Sequence, residues 1–374
     1  MDLILNTIFP AGDEAFDIYH LRPLASLNRH KVIALPAADP AWVGRAGWEL
    51  LSKHALVEMV RLHVKALDLE DADPSDFPRR LNACLESSDA AVRQTAEGIT
   101  REFGRRLGCL VASLLLSHGG LTDPLTAWEA AYLDHWRGQV RHIILGGGHA
   151  SGRLGELIAL AAQEALAECG VAGFTFRAAR FPAWLPLIGD GRSLPPHLHG
   201  AAVLVDCGGT LAKRGIAFYD AQERMVELRR LPEVDIARVA ASGAPTELAQ
   251  AMLAAIVETI HAVPVGMPLA PCVTISVAAY VKGGQPLKIN RDAYTSLYLV
   301  APDMRDWFAR NIQEACGQAV QVEFVHDGDA AACALAGEGQ AAVIMLGSAL
   351  GIGFVPPADG YRRLSDGFGL KIRE

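Results

Sequence analysis

The sequence predicts an α/β fold in two domains, with mixed β-sheets flanked by helices. Three observations carry that prediction. Over residues 201–336, apolar runs of strand length and segments of helical spacing follow one another in the order β-β-β-α-β-α-β-α. Short apolar runs end in glycine turns at 146–148, 208–209 and 347. A long stretch, 90–116, repeats apolar residues at three- and four-residue steps, as a helix packed along one side does. Hairpin signals that precede crossover helices imply a sheet of mixed direction with helices on its faces.

Taken in order, residues 3–8 and 31–35 read as short strands in a region interrupted by Pro23, Pro36 and Pro40. Residues 42–67 have helical spacing, with Leu50, Leu51, Val57, Val60 and Leu62 near one side, and 71–78 is an acidic, proline-containing loop. In 90–116 the stripe is Val92, Ala96, Ile99, Phe103, Leu107, Leu110, Val111 and Leu114; Gly119, Gly120 and Pro124 end it. A strand at 140–145 runs into the three glycines. A helix follows with Leu154, Leu157, Ile158, Ala161, Ala165 and Leu166 on one face, stopped at Gly170. Residues 184–200, rich in proline, glycine and histidine, read as a connector. Strands are expected at 201–206, 216–219, 225–231, 272–277 and 322–325, with Asp220 to Arg224 as a turn. Helices are expected at 242–263, 304–315 and 330–336. A strand, glycine turn and strand at 342–355 precede a polar tail. The predicted domains are 1–195 plus 340–374, and 200–338.

The 374 residues are enough for two domains, and 51% hydrophobic against 20% charged residues supports a large core. A net charge of −8 with no basic run disfavours nucleic acid as the main partner. No apolar stretch reaches the length of a membrane span, and an acid at Asp2 stands where a secretory signal carries positive charge. Seven scattered cysteines without a C-x-x-C pair read as reduced thiols, so a cytoplasmic location is expected. Oligomeric state is not written in the chain; a homodimer stays open.

The chemistry concentrates around 201–220. An apolar run delivers Asp206 to a tight turn in which Gly208 and Gly209 let backbone N–H groups approach an anion. Thr210 adds a hydroxyl and Lys213 a positive charge, and a returning strand follows. Gly-Gly turns are also common in plain hairpins, and Lys213 and Arg214 can equally be solvated strand residues. The turn at 146–148 is either a place where a ligand lies on backbone or a structural turn; His149 after it reads as a surface residue. Asp327 is either a chemical group or a helix cap, a role that Asp329 fits better by position. His326 is either a substrate contact or a polar strand end.

Asp206-x-Gly-Gly-Thr-x-x-Lys213 resembles the first phosphate motif of the actin-like ATPase superfamily, and more narrowly of the ROK sugar kinases. The stretch from Val273 to Lys282 is similar to the strand and loop before their sugar pocket. Val325-His-Asp327-Gly-Asp-Ala-Ala-Ala is similar to their Asn-Asp-Ala-Asn-Ala-Ala-Ala segment, whose first aspartate is the catalytic base. Leu346-Gly-Ser348-Ala-Leu-Gly351-Ile-Gly353 resembles their second phosphate motif, and Ile143-Ile-Leu-Gly-Gly-Gly148 their adenosine motif. The order differs from the family's, where the adenosine motif comes last. A circular permutation accounts for that most simply; a fragment of a duplicated protein is less economical. The implied fold is a pair of actin-like ATPase (ribonuclease H-like) domains in circularly permuted order.

The resemblance implies an ATP-dependent phosphotransferase acting on a hydroxyl of a sugar or similar small polyol, with ATP and Mg²⁺ as cofactors. It implies phosphates on Gly208, Gly209 and Thr210 and on Gly347, Ser348 and Ala349, with Lys213 nearby. Adenine and ribose would lie on Gly146, Gly147 and Gly148, Mg²⁺ near Asp206, the base would be Asp327, and His326 would stand where the family has a substrate-contacting Asn. The family's Glu-x-Gly-His segment and zinc-binding cysteine cluster have no counterpart, so no structural zinc is expected. Rival readings are a nucleotide-binding regulator without catalysis and an ATPase or phosphatase of the same superfamily; no helix-turn-helix extension points to a repressor.

Overall fold

A computed structural model describes residues 26–117, 127–195, 198–209, 211–236, 239, 244–282, 285–287 and 293–372. The expected strand at 3–8 and the glycine stop at 119–120 lie outside them. The described chain divides into two compact units: a first unit of 26–195 and 327–363, and a second of 198–326 and 364–372.

The first unit begins with helices. The expected helical region at 42–67 is split into α1 (Gly47–Leu51) and α2 (Lys53–Arg61), because Ser52 between them is extended and its hydroxyl accepts a hydrogen bond from the Ala55 N–H to cap α2. Among the described residues Lys31 makes only an isolated bridge to Ala46, in place of the strand expected at 31–35. After α3 (Phe77–Cys84), the long helix α4 (Ala90–Leu116) spans the predicted residues. Asp89 caps it by accepting from Ala91 and Val92 N–H, and its stripe from Ala96 to Leu114 is buried. Sequence periodicity missed α5 (Ala127–Gly138), which buries Tyr132, Leu133 and Trp136.

Strand β1 (His142–Gly146) leads into α6 (Gly152–Glu168), which lies along α4, with Arg101–Glu164 and Arg105–Glu168 ion pairs at the rim. A left-handed Gly170 follows α6, as expected. The next strand, β2 (Thr175–Ala178), is short and half-exposed, so it lacks an apolar signal. Residues 184–200 are not merely a connector. Leu185–Ser193 form α7, buried from Leu185 to Arg192 because its small residues pack closely on neighbouring backbone.

The second unit opens with the predicted meander β3 (Ala201–Cys207), β4 (Ala212–Tyr219) and β5 (Met225–Val234), with Asp220 ordering the turn by accepting from Gln222 and Arg224 N–H. Then come α8 (Pro245–His261), β6 (Leu269–Val277), a small hairpin of β7 (Val281–Lys282) and β8 (Gln285–Pro286), α9 (Met304–Cys316) and β9 (Gln321–His326). Val203, Val205, Val273, Ile275, Val322 and Phe324 line one sheet face and pack with Leu248, Met252 and Ile256 of α8 and Phe308 and Ile312 of α9. Their every-second spacing is the strand period.

The chain then contributes α10 (Asp327–Cys333), β10 (Ala341–Leu346) and β11 (Leu350–Phe354) to the first unit. It ends with β12 (Leu364–Ile372) in the second. The boundaries therefore differ from 200–338 and 340–374. Helix α10 belongs with β10 and β11, and the expected polar tail is a strand whose Phe368 is buried and whose Lys371 pairs with Glu227.

In the first unit the strand order is β11-β10-β1-β2, with β10, β1 and β2 parallel and β11 antiparallel to β10. In the second it is β12-β5-β4-β3-β6-β9, with β3, β6 and β9 parallel and β4 antiparallel to β3. Both sheets are thus mixed, as predicted, and both are α/β. Each contains the same local order: a hairpin, then two strands parallel to its first member, with α6 and α9 as the corresponding crossovers. No helix among the described residues is long and apolar enough to cross a membrane.

Candidate functional site

In the second unit, the alternation that turns Val203, Val205 and Cys207 toward α8 and α9 puts Asp206 on the opposite face of β3. Register then selects its companions. Lys213 of β4 and Ser276 of β6 are its direct cross-strand partners. The Ser276 hydroxyl donates to Asp206 Oδ1 at 3.2 Å, and Lys213 Nζ lies 3.6 Å from Oδ2. Asp206 is only 3% exposed; burial pushes its carboxyl pKa up, and the Lys213 ammonium and the Ser276 hydroxyl pull it back. Lys213 is thus half-buried and paired, and Arg214 on the other face is buried against Glu258 at 2.6 Å; neither is a solvated strand residue. Gly208 follows β3 at once, and the Tyr294 hydroxyl donates to its carbonyl at 2.8 Å. Gly209 is exposed, and Thr210 lies outside the described residues.

This half-site offers one carboxylate and one hydroxyl, and no cluster of three His, Cys, Asp or Glu occurs among the described residues. Such a donor set fits Mg²⁺, which needs one or two carboxylates and keeps waters or phosphate oxygens for the rest. It does not fit a caged metal.

In the first unit, β1 and β10 are parallel neighbours with Gly146 opposite Met345, so the turns at 146–148 and 347–349 leave the sheet side by side. Gly147 has φ 86°, and a Cβ there would stand 2.2 Å from the Leu346 carbonyl oxygen; only glycine fits. Gly148 is exposed, with nothing among the described residues within 4 Å of where its Cβ would be, while Ser348 and Ala349 are exposed at the tip of the β10–β11 hairpin.

Two residues unremarked in the sequence hold that hairpin. The Asn28 side chain accepts from Leu350 N–H at 2.8 Å and donates to the Leu350 carbonyl at 2.7 Å, and Lys53 N–H donates to the Gly347 carbonyl at 2.8 Å. Replacing Asn28 by Ala leaves both Leu350 groups without these partners. It is expected to lower stability by about 1–3 kcal/mol and to speed hydrogen exchange at Leu350. Unchanged exchange there contradicts the role.

Asp327 is the first residue of α10, half-buried beside β11. A Cβ built on Gly351 would lie 3.4 Å from Asp327 Oδ1. Because α10 starts at Asp327, Asp329 falls inside the first turn and does not precede the helix as a cap would. His326 closes β9, buried and stacked on Tyr280 with ring centroids 5.0 Å apart. The first unit therefore brings together 146–148, 347–349 and Asp327, and the second brings together Gly208, Asp206 and Lys213.

His149 is not on the surface. The positive φ at Gly147 sends the chain into a short 3-10 turn that turns the ring inward, where it is 5% exposed and its Nδ1 has no hydrogen-bond partner among the described residues. Burial, helped by the Lys53 charge, lowers its pKa from 6.5 to about 4. The folded state thus refuses a proton that the unfolded chain accepts, and stability falls as pH drops from 6.5 toward 4. The difference amounts to about 3 kcal/mol at the lower end. His149→Phe is expected to lose less stability than the unaltered chain between pH 7 and pH 4.5 in urea titrations. Equal losses contradict the assignment.

No protein-family model matches this chain, and neither a curated protein nor a solved structure matches it significantly.

Proposed function

We propose that the chain is an ATP-dependent phosphotransferase acting on a hydroxyl of a sugar or similar small polyol, built from two circularly permuted actin-like ATPase (ribonuclease H-like) domains. The observation that carries this reading is the meeting, within the first unit, of two glycine turns from neighbouring parallel strands with the carboxylate of Asp327 beside one of them. Strand order supports the fold part. In the second unit β3, β4, β5, β6 and β9 stand in the spatial order 3-2-1-4-5 with the second strand antiparallel, the order expected of a ribonuclease H-like sheet, and β12 adds a sixth strand beside β5. The first unit follows the same plan without a third strand, provided β10 and β11 are read before β1 and β2. That reading order is what a permutation requires.

Phosphoryl transfer depends on positioning and charge neutralisation more than on covalent help. Backbone N–H groups at Gly209 and at 347–349 would hold phosphate oxygens, the Gly208 N–H donating instead to the Leu211 carbonyl at 3.2 Å, and the open backbone at Gly148 would take adenosine. Asp206 would hold Mg²⁺ chiefly through waters, the ion supplying charge neutralisation on the phosphates. Lys213 fixes the Asp206 carboxylate and adds positive charge. Asp327 would accept the proton of the attacking hydroxyl.

The test is transfer of label from γ-labelled ATP, with Mg²⁺, to a panel of sugars and polyols, with phosphate release followed in parallel. A labelled acceptor is expected. Phosphate release without one points instead to an ATPase or phosphatase, and nucleotide binding with neither points to a regulator that lacks catalysis, a reading that the missing Glu-x-Gly-His segment favours.

A further inference from the structure

The nucleotide reading assigns no cation of the first unit to the phosphates, and Lys53 stands beside one of the turns that would hold them. Lys53 is the first residue of α2, and its backbone N–H is bonded to the carbonyl of Gly347, so its Cα stands directly against the β10–β11 turn. That turn in turn abuts the other one, since Gly147 packs on Leu346. The side chain is half-buried, and no hydrogen bond or ion pair engages its ammonium among the described residues. A bound anion can therefore pair with the ammonium without displacing a hydrogen bond or ion pair.

Its neighbourhood favours an added anion. The charge of Lys53 is felt at the buried ring of His149, the residue after the three glycines, so the ammonium lies near both turns. That ring is held neutral, which leaves Lys53 without a competing positive charge there. Asp73, which also feels Lys53, is exposed and has its carboxylate engaged by the Ser75 N–H at 2.7 Å. Serine at 52 supplies the cap of α2 internally, so the helix end itself is not the ligand site; the lysine side chain is.

We propose that Lys53 is a phosphate-binding residue, its ammonium neutralising the phosphate chain of a nucleoside triphosphate at 347–349. The inference rests on the nucleotide reading above and adds a contact from a segment far earlier in the chain than either glycine turn, outside every phosphate and adenosine motif of the sequence. A lysine suits the task as a point charge that can follow the phosphates as they move.

Titration calorimetry of the full chain with Mg²⁺ tests it, using ATP and adenosine as the two probes. Lys53→Met is expected to weaken ATP binding by about 10- to 100-fold and to leave adenosine binding unchanged, with Lys53→Arg restoring most of the ATP affinity. Equal ATP affinity in Lys53→Met and in the unaltered chain overturns the proposal while leaving the nucleotide reading intact. An equal loss for ATP and adenosine also overturns it, because that marks a merely structural lysine. Failure of the unaltered chain to bind ATP removes the nucleotide reading itself, and this inference with it.

Discussion

Asp327→Asn is expected to abolish phosphoryl transfer while leaving ATP binding nearly intact. The amide keeps the shape of the carboxylate but cannot accept the proton of an attacking hydroxyl. A general base of this kind contributes about 10²- to 10⁴-fold in rate, so the variant should fall to the background of the assay. The position of Asp327 makes the separation clean. It belongs to the first turn of α10 and borders Gly351 of β11, whereas the turns assigned to nucleotide are 146–148 and 347–349. Turnover and ATP affinity measured on the same preparation decide the matter. Unchanged turnover removes Asp327 as the base; a parallel loss of affinity makes it a binding residue instead.

Gly189→Ala is expected to be among the most destabilising single substitutions in the chain. Helices α7 and α10 pack so closely that a Cβ at 189 would stand 1.7 Å from the Ala330 carbonyl oxygen and 2.9 Å from the Ala334 nitrogen, both backbone atoms that cannot rotate away. One helix must shift, and Arg192 resists the shift. Its guanidinium donates to the carbonyls of Ala334 and Ala336 at 2.7 and 3.0 Å from Nη1 and Nη2, and to Arg362 O at 2.7 Å from Nε. Overpacking against fixed backbone costs about 3 kcal/mol or more. Gly98→Ala is the internal contrast. It lies within α4, a Cβ there would meet nothing within 4 Å among the described residues, and replacing glycine inside a helix should stabilise by about 0.5–1 kcal/mol. Denaturant midpoints of the two variants should move in opposite directions. A Gly189→Ala midpoint at or above that of the unaltered chain contradicts the packing described.

Elements whose burial is written as a regular pattern were readable before any coordinates. The stripe of 90–116 and the alternation around Asp206 are of that kind: one buried face repeats at the helical period, the other at the strand period. Elements whose burial is partial were not. Strand β2 is four partly or fully exposed residues, β12 carries Asp366 and two glycines beside its buried Phe368, and the apolar side chains that α5 buries among the described residues are Tyr132, Leu133 and Trp136.

The candidate site divides the same way. Glycine turns after apolar strands mark Gly147 and Gly208 because the backbone geometry demands those residue types. Contacts made across the fold leave weaker traces. Ser276 interrupts an apolar strand as the polar side chain of β6 in register with Asp206, a hint available in Val-Thr-Ile-Ser-Val but not decisive there. Asn28 meets Leu350 across 322 positions of sequence and has no local signal at all. His149 misled because a polar residue after glycines usually stays in water, and only the left-handed Gly147 turns it inward.

Crystals of the full chain grown with Mg²⁺ and a non-hydrolysable ATP analogue address the account most directly. The expected result is adenosine lying on the backbone of 146–148 and phosphate oxygens at hydrogen-bond distance, about 3 Å, from N–H groups of 347–349. Nucleotide bound elsewhere on the chain, or none at saturating concentration, contradicts it.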